Sequence, residues 1–124
     1  MNSKPFYISI KRNINELGSV IVEISGYLDA HTVVSFEEQM TQLIDAGAKR
    51  IIIDLEQLSY ISSAGIGSLI GMVQRVRRTG GDVILLRPSQ KVHKILDLLG
   101  FAEIFKIAGT EDEAIEALRP ASDM

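Results

Sequence analysis

The segment Asp54-Leu55-Glu56-Gln57-Leu58-Ser59-Tyr60-Ile61-Ser62-Ser63-Ala64-Gly65-Ile66-Gly67 brings two adjacent hydroxyls, Ser62 and Ser63, from an apolar strand to the mouth of a helix. A helix start carries unpaired backbone N–H groups and a partial positive charge. A phosphoryl group on Ser63 is therefore accommodated locally while its charge changes what the surface repels. The same placement also suits a serine that only caps the helix, and Ser62 or Ser63 would fill that role.

Other chemistry fits the residues less well. A dinucleotide fingerprint needs glycines at relative positions one, three and six, whereas this helix start has Gly65, Gly67 and Gly71, with Ile70 at the third place. A phosphate-gripping loop needs a lysine directly before Ser or Thr, and no lysine lies between Lys49 and Lys91. No nucleotide or other cofactor is expected. Close backbone packing is the plain role for Gly65, Gly67 and Gly71, although Gly71 inside a helix costs about 1 kcal/mol relative to alanine and hints at a docking surface. Serine hydrolysis would need Gly-x-Ser-x-Gly and an oriented histidine. That pattern is absent, and the two histidines, His31 and His93, read as a first-turn residue and a helix-surface residue. Asp29, Asp54 and Glu56 suggest a metal site or an acceptor aspartate at a strand end. Asp54 after Ile51-Ile52-Ile53 resembles the phosphorylated aspartate of a receiver domain. A receiver begins βα with an acidic pair after its first strand, and here a hairpin comes first and Lys11-Arg12-Asn13 follows that strand.

The elements that must position the serines can be read from periodicity. Phe6, Ile8 and Ile10 alternate with Tyr7, Ser9 and Lys11, and Val20, Val22 and Ile24 alternate with Ile21, Glu23 and Ser25, which predicts two strands joined at Asn13 to Gly18 as a hairpin. Val33, Phe36, Met40, Leu43 and Ile44 form one apolar helical stripe ending at Gly47. Ile51-Ile52-Ile53 and Val83 to Leu86 read as strands covered on both faces, as in a mostly parallel α/β sheet. Between them a helix carries Ile66, Leu69, Ile70, Val73 and Val76 inward and stops at Gly80-Gly81, with Arg75, Arg77 and Arg78 near its negative end. Pro88-Ser89 opens a helix with Val92, Ile95, Leu96 and Leu99 inward, stopped by Gly100. Phe101 to Ile107 predicts a last strand, and Thr110 with Glu113 a capping box before the helix Ala114 to Leu118. The expected order is ββαβαβαβα with about four helices. Right-handed crossovers then bring the loops Gly26 to His31 and Glu56 to Ser62 to one carboxyl edge, making Asp29 and Ser63 neighbours.

With 124 residues, 46% hydrophobic and 23% charged, the chain suits a single domain spanning 1–124. A net charge of −3 with scattered basic residues argues against nucleic-acid binding. The absence of cysteine removes disulfides, thiolate metal sites and cysteine nucleophiles. Met1 to Pro5 lacks a signal pattern and no 18-residue apolar run occurs, so no membrane association and a cytoplasmic location are expected. The tail Pro120 to Met124 reads as frayed.

With that element order, the Gly26-Tyr27-Leu28-Asp29 turn and the Asp54-Leu55 to Gly65-Ile66-Gly67 run, nearly the whole chain resembles STAS domains, specifically small bacterial anti-sigma factor antagonists. The resemblance implies a mixed sheet with an N-terminal hairpin and central parallel strands. It also implies phosphorylation at Ser63; many members carry aspartate immediately before that serine where this chain has Ser62, a departure that leaves Ser62 a possible second acceptor. Asp29, Ser62, Ser63, Ala64, Gly65, Ile66 and Gly67 would form the partner-binding edge. The implied partner is an anti-sigma factor with serine-kinase activity that supplies its own ATP. Binding it frees a sigma factor, phosphorylation ends the binding, and a metal-dependent serine phosphatase resets the state. Such a protein is a substrate and binder with no turnover of its own. A non-switching adaptor in a signalling scaffold or transport assembly is the alternative within the same fold.

Overall fold

A computed structural model describes residues 6–12, 18–101 and 103–119. The chain runs β1 (Phe6–Arg12), β2 (Val20–Leu28), α1 (Val33–Asp45), β3 (Arg50–Asp54), β4 (Leu58–Ile61), α2 (Ser63–Arg78), β5 (Asp82–Leu86), α3 (Gln90–Leu98), β6 (Lys106–Ala108) and α4 (Glu111–Ala117). The strands form one mixed six-stranded sheet ordered β1-β2-β3-β5-β6, with β4 pairing β2. β1 and β2 are antiparallel, and the pairs β2–β3, β3–β5 and β5–β6 are parallel. The expected turn at Asn13 to Gly18 falls largely outside the described residues, as do the segment Met1 to Pro5 and the tail Pro120 to Met124.

One strand is added to the expected order. Leu58–Ile61, taken as loop, pairs in parallel with the last residues of β2, from Gly26 opposite Leu58 to Leu28 opposite Ile61, with a register shift between Gly26 and Tyr27. The reason is visible in burial. Leu58 and Ile61 go into the core while Ser59 is exposed and Tyr60 half-buried, so four residues suffice to extend the sheet beyond β3. The last strand, in contrast, is shorter than Phe101 to Ile107. Residues 103–105 turn, burying Phe105, and only Lys106–Ala108 pairs with β5. Leu99, expected inward, is exposed because α3 ends at Leu98 and Gly100 takes a left-handed φ of 76°. At α4, Thr110 Oγ1 accepts the Glu113 N–H at 3.2 Å, but the Glu113 carboxylate accepts from the Thr110 hydroxyl, so the capping box closes through side chains.

The two faces of the sheet are covered unequally. Val22, Ile24, Ile51, Ile53, Val83 and Leu85 pack with Phe36 and Met40 of α1, Leu69, Val73 and Val76 of α2, and Val92 and Leu96 of α3. On the other face Ile21, Ile52, Ile84 and Leu86 meet Ala108, Ala114 and Leu118 around α4. The run Ile51-Ile52-Ile53 is buried throughout because β3 is central and both faces are covered where it lies.

The return from α2 into β5 depends on a close approach. A Cβ on Gly81 would stand 2.0 Å from the Lys49 carbonyl oxygen, which itself accepts the Asp82 N–H at 2.9 Å. Asp82 then gathers Arg77 from the end of α2 at 2.9 Å and Lys106 of β6 at 2.6 Å. Burial raises the Asp82 pKa, but the Lys106 and Arg77 hydrogen bonds and the Val83 N–H outweigh it, so the carboxyl titrates below 3.8. A depressed native pKa contributes stability above the unfolded value and loses it as pH falls through the native one. Asp82→Asn is therefore expected to lower unfolding free energy by about 1 kcal/mol at neutral pH. In urea titrations that difference should shrink on acidification below the ordinary carboxylate range, whereas a pH-independent difference would assign the loss to packing.

Candidate functional site

The structure assigns the two serines different tasks. Ser62 is the N-cap of α2, with extended backbone (φ −91°, ψ 173°) and its Oγ accepting the Gly65 N–H at 3.3 Å. Its own N–H donates to the Leu28 carbonyl at 2.9 Å, which ties the start of α2 to the end of β2. Ser63 is the first helical residue, exposed, and its Oγ has no hydrogen-bond partner among the described residues. At this position the N–H groups of Ser63 and Ala64 have no carbonyl one turn back to bond, and the helix dipole is positive. The hydroxyl therefore stands in solvent where added negative charge is locally favourable.

The surrounding residues divide by the helical period. Ser63, Ala64 and Gly67 face outward, while Gly65 is buried and Ile66 is 1% exposed in the core. Gly65 and Ile66, expected at the partner-binding edge, thus lie beneath the surface that Ser63, Ala64 and Gly67 present. A Cβ on Gly65 would lie 2.7 Å from the Leu28 carbonyl oxygen and 2.9 Å from Ile61 Cγ1. Of the three glycines expected to pack closely only Gly65 does so. Above Gly67 and Gly71 there is open space, so Ser63, Gly67 and Gly71 make a stripe on α2 with little or no side chain.

Asp29 lies directly after Leu28, the residue bonded to Ser62, so the predicted adjacency of the two turns holds. Its side chain, however, turns inward. Asp29 is 8% exposed, and its Oδ1 accepts from the His31 N–H at 2.9 Å and the Thr32 N–H at 3.1 Å. Thr32 Oγ1 donates to the Tyr27 carbonyl at 2.7 Å and accepts the Asp29 N–H at 2.9 Å. Asp29 therefore shapes the turn into α1, and His31 is an exposed turn residue before that helix. Asp29→Ala is expected to cost about 2 kcal/mol in chemical denaturation, because it orphans these donors. Any loss of partner binding in that variant should track this local loosening.

Asp54 is also committed elsewhere. It is 6% exposed and pairs with Arg87, Nη2 to Oδ2 at 3.0 Å and Nε to Oδ1 at 3.5 Å, while its Oδ1 accepts the Glu56 N–H at 3.1 Å. The bond to Asp54 raises the Arg87 pKa further above its ordinary value. Arg87 holds a left-handed φ of 39°, a conformation uncommon outside glycine, with its N–H fixed to the Ala108 carbonyl at 2.8 Å. Of the acids at this edge, Asp29 and Asp54 are therefore already engaged by donors of their own chain, while Glu56 stays largely exposed. Tyr60 extends the same edge, its ring 5.9 Å from Tyr27 and 5.7 Å below the Lys91 ammonium. Neither this stack nor Arg87 has a signal in the sequence, because the partners come from different strands and helices. Among the described residues no cluster of three or more His, Cys, Asp or Glu is placed to hold a metal ion, and no helix is long and apolar enough to cross a membrane.

Comparison with known proteins bears on this geometry. The model of the STAS domain family matches residues 9–114. The chain is 30% identical over 106 residues to the anti-sigma F factor antagonist of Paenibacillus polymyxa, spanning 85% of this chain and 91% of that protein. The anti-sigma factor antagonist SpoIIAA in its unphosphorylated form superposes with a TM-score of 0.72 at 28% identity, over 90% of this chain and 96% of that one. The Bacillus cell fate determinant SpoIIAA in its phosphorylated form gives 0.64 at 27% identity, over 90% of this chain and 100% of that one.

Proposed function

We propose, on the premise that the chain belongs to the STAS domain family, that it is an anti-sigma factor antagonist whose affinity for its partner is set by the charge on Ser63. The observation that carries the reading is the division of labour at the mouth of α2, where Ser62 holds the cap and Ser63 presents a solvent-facing hydroxyl with no bond among the described residues. Further support comes from the relatives, which are named anti-sigma factor antagonists, and from the existence of SpoIIAA in phosphorylated and unphosphorylated forms.

In this reading the unmodified edge, with Ser63, Ala64 and Gly67 outermost, docks on an anti-sigma factor and thereby frees a sigma factor. The small residues along the stripe allow the partner's backbone to approach α2 closely. The partner is also a serine kinase that binds ATP. The Ser63 oxygen bonds the γ-phosphorus, the bond to the β-phosphate oxygen breaks, ADP leaves, and the hydroxyl proton passes to a base on the kinase. The product carries about −1.5 to −2 charges at neutral pH, held by the start of α2 but buried unfavourably under a docked partner. A serine phosphatase returns the hydroxyl. The chain itself is substrate and binder, working in the cytoplasm without a resident cofactor.

The test is to incubate the protein with the kinase and ATP, locate the modification by mass spectrometry, and repeat a pull-down before and after. Modification at Ser63 with loss of capture is expected. Modification absent from both Ser62 and Ser63 would remove the mechanism.

A further inference from the structure

β1 forms one side of the sheet, and among the described residues no strand lies against its outer edge. Its pairing with β2 is continuous, from Phe6 opposite Gly26 to Arg12 opposite Val20, without a bulge and without a proline. Natural edges are usually blunted by bulges, proline, charged side chains (lysine above all) or a covering element, because a bare edge is a template for another strand, and on β1 charge is confined to Lys11 and Arg12 at one end. Here Tyr7 is 69% and Ile10 40% exposed.

The order of residues along this edge is self-complementary. Phe-Tyr-Ile-Ser-Ile-Lys-Arg has Ser9 at its centre. If two copies meet antiparallel about a twofold axis through Ser9, Ile8 of each falls opposite Ile10 of the other, and Tyr7 falls opposite Lys11. β-branched pairs and a cation against an aromatic ring are both favourable across strands, and no like charges are opposed. The register also keeps the two sheets in phase, so the Phe6, Ile8 and Ile10 face continues as one apolar face. The ion pair that Lys11 makes with Glu23, at 3.0 Å, is largely exposed and offers little resistance to redirection.

We infer that the occupant of this edge is a second copy of the same chain, giving a twofold dimer with one continuous sheet through β1 and its mate. The arrangement is compatible with the proposed switch. Gly26 pairs Phe6 on one side and Leu58 on the other, so β4 and the α2 start it leads to lie across β2 from the dimer edge.

Sedimentation equilibrium of the full chain tests this, with a limiting mass of twice 13.6 kDa expected. The chain has no cysteine, so Ser9→Cys introduces a single thiol. Directly opposed residues place their Cα atoms about 4.5–5.5 Å apart, within disulfide range. Mild oxidation should therefore link Ser9→Cys into a covalent dimer while Ser59→Cys, exposed on β4, stays unlinked. Tyr7→Lys sets lysine against Lys11 at two symmetry-related places and should weaken the dimer about tenfold. Tyr7 is exposed, so unchanged circular dichroism should confirm that this variant folds. A mass of 13.6 kDa at every concentration would overturn the inference. So would a doubled mass in which Ser9→Cys links no faster than Ser59→Cys, since the dimer would then use another surface.

Discussion

Phosphorylated Ser63 is expected to bind the anti-sigma partner at least about a hundredfold more weakly than the unmodified protein, a loss of about 3 kcal/mol. The cost arises at the interface, where a doubly charged group must be desolvated against a surface shaped to a hydroxyl. It does not arise in the fold. Ser63 is the first residue of α2, where negative charge is favoured by about 0.3–1 kcal/mol. Ser63→Glu should therefore weaken binding in calorimetry, less completely than phosphate, while its thermal midpoint holds or rises slightly. Ser63→Ala should bind like the native chain and stay bound when kinase and ATP are added. Unfolding of Ser63→Glu would make the serine a structural residue. Binding indifferent to its charge would favour the non-switching adaptor.

Gly65→Ala is expected to destabilise the protein by about 3 kcal/mol, the upper range for forcing volume into a packed site. The added methyl would meet the Leu28 carbonyl oxygen at 2.7 Å, and that same oxygen accepts the Ser62 N–H. Backbone cannot swing aside as a side chain does, so the first turn of α2 must lift off the end of β2. The bond that positions Ser62 and Ser63 is the one lost. Partner binding and phosphorylation should both fall, along with stability. Gly67→Ala provides the contrast, since nothing lies within 4 Å of its added methyl and the helix gains up to about 1 kcal/mol of intrinsic preference. Thermal melts of the two variants should move in opposite directions. A neutral Gly65→Ala would mean that the close approach to Leu28 is not what fixes the site.

Much of this was legible in the chain because it is governed by local signals. The alternation in β1 and β2, the apolar stripes of α1 and α2, the glycine stops and the serine pair at a strand-to-helix junction each follow from short-range periodicity or capping chemistry. What escaped depends on assembly or on very short segments. Leu58–Ile61 has only four residues and follows directly on a turn, so its pairing with β2 was read as loop. The spacing of Asp29 and Thr32 carries a turn signature, the carboxylate accepting the N–H three residues on, which the expectation of an exposed edge left out of account. The Asp54–Arg87 pair joins residues from the ends of two different strands and could not be anticipated from either neighbourhood. Gly67 and Gly71 show the limit of composition itself. Their spacing suggests contact, and only the placement of α1 and α3 reveals that this side of α2 faces solvent.

The unequal covering of the sheet gives its two faces very different tolerances. Three helices bear on the face that supports Ser63, and their buried side chains pack in one cluster with Ile66 and Leu69 of α2. On the reverse, the small cluster around α4 leans on the far strands β5 and β6 and shares no side chain with the start of α2. Substitutions that stay small and apolar there should therefore register in stability and leave the first turn of α2 where it is.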